Sequence, residues 1–277
     1  MLSFLMIFSL AQAQPADTRL HFQQGQLIKI NLVMKLNAGQ QGFDLNVDGN
    51  TTHTYKVTNA TDDNTTLHHE VEKIGFNVDG LGQKINFDSG KEKDLNGNFG
   101  KPIKEILGRR FDAIIDNSGK VLMVTPEKFV ASEADPRMAF ISNLLKDLLD
   151  VVQPPAKNGS SFFKIFPDNP INKGDSWADT TVTSTLQSIS HYTLTDITDS
   201  AYVITVVENS VTTSKAEIMG SESTTTLNNT STGTLLINRQ TGILKEKKLT
   251  TESTGTTNIM GGSFPVNSKT TIIIQVD

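Results

Sequence analysis

The sequence predicts a mainly β protein: a curved antiparallel sheet, an open barrel or clam, built from two pseudo-repeats with one amphipathic helix between them. Three observations carry that expectation. Thr, Ser, Asn and Gly are abundant while aromatic residues are only 6% of the chain, so segments with an apolar residue at every second position read as strands with one wet face. Segments near 42–58 and 215–230 exceed the usual strand length of roughly 3 to 10 residues, and long antiparallel strands belong to twisted sheets that curl or close to protect their edges. Finally, three short marks recur in the same order in each half of the chain.

In chain order, the first segment is an apolar run from Leu2 to Leu10 ending in Ala11-Gln12-Ala13, a small-x-small cleavage pattern. Residues 1–13 therefore read as an export signal. The run is shorter than the 20 or so apolar residues that span a bilayer, and no later stretch is apolar enough to do so.

Strands are expected at 26–36, 42–58, 65–78, 84–88, 109–116 and 120–125, making a first β repeat over 14–125. A helix follows. Asp135 can cap it, Pro136 suits its first turn, and Met138, Ile141, Leu145, Leu148 and Val152 lie at helical spacing before Pro154-Pro155 end it. Its stripe is one-sided, so it should lie on the sheet. Helix and an apolar connector bearing Phe162, Phe163, Ile165 and Phe166 fill 126–172. The second repeat, 173–277, carries strands at 177–189, 191–197, 201–213, 215–230, 233–238, 243–256 and 266–276.

The duplication rests on those three marks. Tyr55-Lys-Val-Thr-Asn-Ala-Thr-Asp62 returns as Tyr192-Thr-Leu-Thr-Asp-Ile-Thr-Asp199, each before a polar turn and a further strand. Ile114 to Val121 returns as Leu236 to Ile243, with Gly119 and Gly242 supplying the positive φ of a tight hairpin. Gln24-Gly25-Gln26-Leu27 opens the first half as Lys173-Gly174-Asp175-Ser176-Trp177 opens the second. Gly174 to Trp177 is thus a corner entering a strand, with Trp177 as that strand's first large apolar side chain.

Pro167-Asp-Asn-Pro170-Ile-Asn-Lys-Gly174-Asp-Ser-Trp177, the segment Ile106 to Val121, Tyr55-Lys-Val and the leader together resemble an uncharacterised family of exported bacterial β-rich proteins, a domain of unknown function. The resemblance implies architecture and export. It supplies no catalytic or binding residue.

Chemistry is sparse. Gly174-Asp-Ser176 has the look of an esterase motif, but a nucleophilic serine needs a base, and no histidine follows His191. Asp44-Leu-Asn46-Val-Asp48-Gly49 begins like a calcium loop, yet its twelfth position is Tyr55 and the segment alternates as a strand does. His68 and His69 are adjacent in a strand, so they face opposite ways and cannot share one ion. Carboxylates are scattered among turns, and Gly80-Leu-Gly82 alone is a turn. The chain has no cysteine, which removes disulfides, thiolate metal sites and a lipid-modified cysteine anchor. A net charge of −5 without a basic stripe argues against nucleic acid as a partner.

The expectation is therefore an exported, non-enzymatic envelope protein, periplasmic or extracellular, without cofactor or metal. It would bind an apolar small molecule or lipid between helix and sheet, with Ile141, Leu145, Leu148, Phe162 and Phe163 facing the ligand or forming a lid. The alternative is a scaffold that meets another envelope protein. N-terminal sequencing of the exported product should begin at or near Gln14; an intact Met1 terminus on envelope material would overturn the signal.

Overall fold

The computed structural model describes residues 15–40, 43–80, 82–125, 148, 155–218 and 221–277. It contains one curved, unclosed antiparallel sheet of twelve strands. These are β1 (Leu27–Gln40), β2 (Phe43–Ala60), β3 (Asn64–Gly80), β4 (Gln83–Asp88), β5 (Arg110–Asp116), β6 (Val121–Thr125), β7 (Ser176–Val182), β8 (Leu186–Ile197), β9 (Ala201–Ile218), β10 (Ser221–Asn238), β11 (Leu244–Ile259) and β12 (Gly262–Val276). The spatial order is β6-β5-β3-β2-β1-β12-β11-β10-β9-β8-β7, with β4 paired to β3 beside this path. Each half is a meander. The ladder between the first strand and the last, from Ile30↔Val276 to Gln40↔Val266, joins the halves.

Alternation decides which face is dry. Along β1, Ile28, Ile30, Leu32 and Met34 are buried while Lys29, Val33 and Lys35 are exposed. Each inward side chain contributes about 1.5–3 kcal/mol by leaving water. In β3 the inner row runs Thr65, Leu67, His69, Val71, then shifts past a bulge to Ile74, Phe76 and Val78. Charges collect on the outer face, as in the Lys29–Glu72, Arg110–Glu70 and Lys269–Glu252 pairs.

Two glycines allow close approach where β10 meets β11. A Cβ on Gly233 would lie 2.1 Å from the Lys248 carbonyl oxygen, and one on Gly255 would lie 2.0 Å from that of Thr226. No larger residue fits either position without moving the ladder, and interior glycines of this kind mark bends.

The marks that open and punctuate each half have matching geometry. Gly25 and Gly174 adopt φ of +84° and +95°. Gly25 N donates to Val57 O and Val57 N to Gln26 O; Gly174 N donates to Leu194 O and Leu194 N to Asp175 O. Gln26 Oε1 and Asp175 Oδ2 accept from the amides of Gln23 and Asn172 at 3.1 and 2.7 Å. Just past Val57 and Leu194 each strand carries a register shift, at which Thr58 Oγ1 donates to Thr66 O and Thr195 Oγ1 to Val203 O. Tyr55 and Tyr192 stand two residues before Val57 and Leu194, each on the second strand of its half.

Several boundaries differ from the sequence expectation. The expected strand 177–189 stops at Val182, because Thr183 Oγ1 accepts from the amides of Thr185 and Leu186 and turns the chain. Of the strands expected at 215–230 and 233–238, residues 215–218 end β9, and 221–238 are one strand, β10, with Gly233 inside it. β12 begins at Gly262, just after a two-residue hairpin turn at Met260 (φ 51°) and Gly261 (φ 77°). Two short helices, α1 (Glu92–Leu95) and α2 (Gly100–Leu107), were not expected. α2 buries Ile103 and Ile106, one turn apart, against β3. The helix expected over 135–152 lies outside the described residues except for Leu148, which is helical and buried. Ile141 and Leu145 also lie outside them.

Trp177 is half-buried rather than enclosed: it stacks on Tyr192 with ring centroids 5.5 Å apart and approaches Phe166 at 6.2 Å. Trp177→Ala should accordingly cost about 2–3 kcal/mol in urea denaturation, below the 3–5 typical of a fully buried aromatic. Gly242→Ala should cost about 2 kcal/mol or more, since Gly242 has φ +69° and its Cβ would meet Arg19 O at 2.4 Å. At Gly174 a Cβ meets nothing, so alanine there costs only the left-handed backbone strain of roughly 1 kcal/mol.

Candidate functional site: the inner face of the sheet

The inner face divides into three zones. In the first, Val57, Leu67, Ile115, Leu194, Ile204 and Ile237 are buried in one core with Ala16, Leu20, Phe163, Phe166 and Ile171 from the N-terminal segment and the connector. Backbone bonds pin those segments: Ala16 N to Ile171 O, Leu20 N to Asn117 O, and His21 N to Thr241 O.

The second zone is an aromatic cluster. Phe163 is 2% exposed and packs edge-on against Tyr55 at 5.2 Å and Phe22 at 5.3 Å, with Phe162 half-buried beside it. Phe163 is thus a wedge of the core and does not face open space. Beneath lie two histidines with no exposed surface, His53 on β2 and His69 on β3. His53 Nδ1 is 3.2 Å from His69 Nε2, and His53 Nε2 is 2.9 Å from Thr51 Oγ1. His69 stacks on Phe111 at 4.5 Å and leans on Tyr55 at 4.6 Å, while its Nδ1 has no hydrogen-bond partner among the described residues. Burial holds His53 down to about 4; burial, and then the neighbouring His53 and His68, hold His69 down to about 3. Both imidazoles are neutral at physiological pH. His68 points outward to Asp112 at 2.6 Å.

The third zone lies where the halves meet. Leu249, Ile272 and Met34 form one row across β11, β12 and β1, and Leu36 and Leu45 extend it along β1 and β2. Met34 is buried, yet Leu249, Ile272, Leu36 and Leu45 are only half-buried, although all four pack on the core. Toward β8 this apolar floor gives way to hydroxyls and amides. Asn229 Nδ2 donates to Ser210 Oγ at 3.2 Å and Thr212 Oγ1 at 3.3 Å. Ser231 and Thr251 share a bond of 2.8 Å, as do Thr225 and Thr257. Ser190 Oγ donates to Glu208 Oε2 at 2.9 Å.

Ser176 is exposed, and its Oγ shares a 2.8 Å hydrogen bond with Thr193 Oγ1 rather than with an imidazole. No group of three or more metal-ligating side chains is present among the described residues. No described helix is long and apolar enough to cross a membrane. In the sequence His69 stands beside His68 and 16 residues from His53, so nothing local pairs it with His53. Their signal is alternation, which puts His53 in line with Tyr55 and Val57, and His69 in line with Leu67 and Val71.

Residues 155–244 match a family model described as a family of unknown function (DUF6263). That span includes the proline-to-tryptophan corner. No curated protein matches the sequence. Among solved structures, the fold is similar to part of lipovitellin: TM-score 0.50 and 9% identity, over 93% of this chain and 26% of that one. The chain therefore spans about a quarter of the lipovitellin chain's length. An outer-membrane channel from Pseudomonas putida F1 aligns over 96% of this chain and all of its own, at TM-score 0.28 and 9% identity. OpdQ of Pseudomonas aeruginosa aligns over 92% and 99%, at TM-score 0.20 and 7% identity. Of these three, the lipovitellin match reaches a TM-score that bears on architecture and the two channel matches do not.

The histidine pair makes stability depend on pH. The unfolded chain binds protons near the ordinary histidine value of 6.5, whereas folded His53 does so only near 4 and folded His69 near 3. Between these values the unfolded state holds more protons, so stability falls as pH drops from about 6.5 toward 4. Each histidine contributes on the order of 3 kcal/mol to that loss. A His53→Gln, His69→Phe double variant should flatten the slope of unfolding free energy between pH 6.5 and 4, measured by urea titration at stepped pH.

Proposed function

We propose that the protein binds an apolar or amphiphilic ligand on the inner face of its sheet, as an exported, non-enzymatic component of the cell envelope. One observation carries the reading: the half-buried floor of Leu36, Leu45, Leu249 and Ile272 continues the dry core beyond the part that the N-terminal segment and connector cover. Apolar surface left partly wet beside a core is what a ligand of matching chemistry would dry. The likeness to lipovitellin, a structure described for its lipid–protein interactions, fits a sheet of this shape holding lipid. It supports the reading by fold alone.

A second reading, a scaffold for another envelope protein, has its own support. The start of β6 is covered, since Val121 N donates to Gly159 O and Asn158 N to Val121 O. Along β7, at the opposite edge, no described segment pairs with the outer side, and Val182 there is 70% exposed. Such an edge can accept a strand from a partner. Native mass spectrometry of protein purified from its own host separates the two: an extractable adduct of lipid mass supports the carrier, a second polypeptide the scaffold.

The binding reading is tested with N-phenyl-1-naphthylamine, an uncharged apolar dye that brightens in a dry site. The full chain should bind it saturably, and Ile272→Asp should weaken binding at least about tenfold by placing a charge in the floor, with circular dichroism unchanged. A chain that leaves the dye dark, or an Ile272→Asp variant that binds it equally well, would overturn the reading.

A further inference from the structure

The apolar floor ends in a row of neutral hydrogen-bonding groups, and that junction says what kind of molecule would lie across it. Ser231, Thr251, Thr270 and Leu36 form the row next to Gly233, Leu249, Ile272 and Met34, two residues further along each strand and so about 7 Å away. Beyond it lie the Ser210–Asn229–Thr212 bonds and Ser253. Ser231 in the first row and Ser210 and Ser253 in the second are 3%, 9% and 6% exposed, with Thr251 and Thr270 half-buried beside them, so these side chains lie close against the sheet.

Charge sets the chemistry. Almost every ionised group of these strands is on the outer face, including the Lys215–Glu222 and Lys269–Glu252 pairs. Among the described residues, the register puts three ionisable acidic or basic side chains on the inner face of β7 to β12: Asp179 and Glu208 on the hydroxyl side, and Lys247 at the covered end opposite Leu235 and Ile274. A phosphate or carboxylate head laid on the hydroxyl row would find no cation there and would meet two carboxylates. Hydroxyls and the Asn229 amide instead both donate and accept, which is the pattern of a sugar.

We infer that the inner face takes an amphiphile with an uncharged, polyhydroxylated head, its alkyl part on Leu36, Leu249 and Ile272 and its head against Ser231, Thr251 and Asn229. The inference rests on the binding reading above and narrows its ligand class. The head forms hydrogen bonds with a surface already held in place by its own cross-strand bonds, so little side-chain freedom is lost when it binds.

Three amphiphiles with the same dodecyl chain decide the matter: dodecyl maltoside, dodecyl phosphate and dodecyltrimethylammonium, each below its micelle concentration, displacing N-phenyl-1-naphthylamine from the full chain. The maltoside should displace the dye at roughly tenfold lower concentration than either charged compound, the worth of one or two well-placed hydrogen bonds. An Asn229→Leu, Ser231→Val variant should lose most of that preference while binding the dye as before. Equal displacement by all three, better displacement by a charged one, or a preference that survives the double variant would each overturn the head assignment and leave the binding reading intact. Failure of the dye to bind at all sinks both.

Discussion

The sheet has a single dry face, and every other feature answers to that constraint. Where the sheet is covered, period-two alternation gathers Ile, Leu, Val, Tyr55, His53 and His69 on one side and leaves most charged side chains on the other. A dry face this large cannot stay open to water. The N-terminal segment, the connector with Phe163 and Phe166, and α2 are each anchored by bonds or buried side chains on that side. Even the two buried histidines follow from it. They sit at inward positions and therefore stay neutral, stabilised by aromatic stacking in place of water.

The paired corners at Gly25 and Gly174 show how little sequence can specify a shared local geometry. Gln26 and Asp175 differ in length and charge, yet each side-chain oxygen accepts from the amide three residues back. Thr58 and Thr195 mark register shifts at corresponding places. Between these fixed points the halves diverge freely: β4, α1 and α2 lie between β3 and β5, whereas β9 passes directly into β10.

Much of this was legible in the chain. Alternation located the strands, and glycines located the corners, because both signals are local. What failed was also local but weaker. The threonine turn at 183 hid among strand-like threonines, and α2 offered only two turns of pattern. The candidate floor was not legible for a different reason. Leu36, Leu249 and Ile272 come together only through the β1·β12 ladder, and nothing near any of the three announces a pairing between the first strand and the last. Phe162 and Phe163 stand out along the chain, and both rings meet Tyr55 in the structure.

That ladder also sets an order in time. As the chain emerges from the ribosome, β1 to β6 can form a meander from near neighbours, and β7 to β11 can form another. The strand that joins them, β12, follows both meanders in the chain, and closing so long a loop is the slowest kind of pairing. Until β12 arrives, Leu36 and Leu249 belong to the exposed flanks of two separate sheets. A chain in which β12 (Gly262–Val276) has not yet paired would thus carry most of the core and none of the junction. The junction of the two halves exists only once β12 has paired with both β1 and β11.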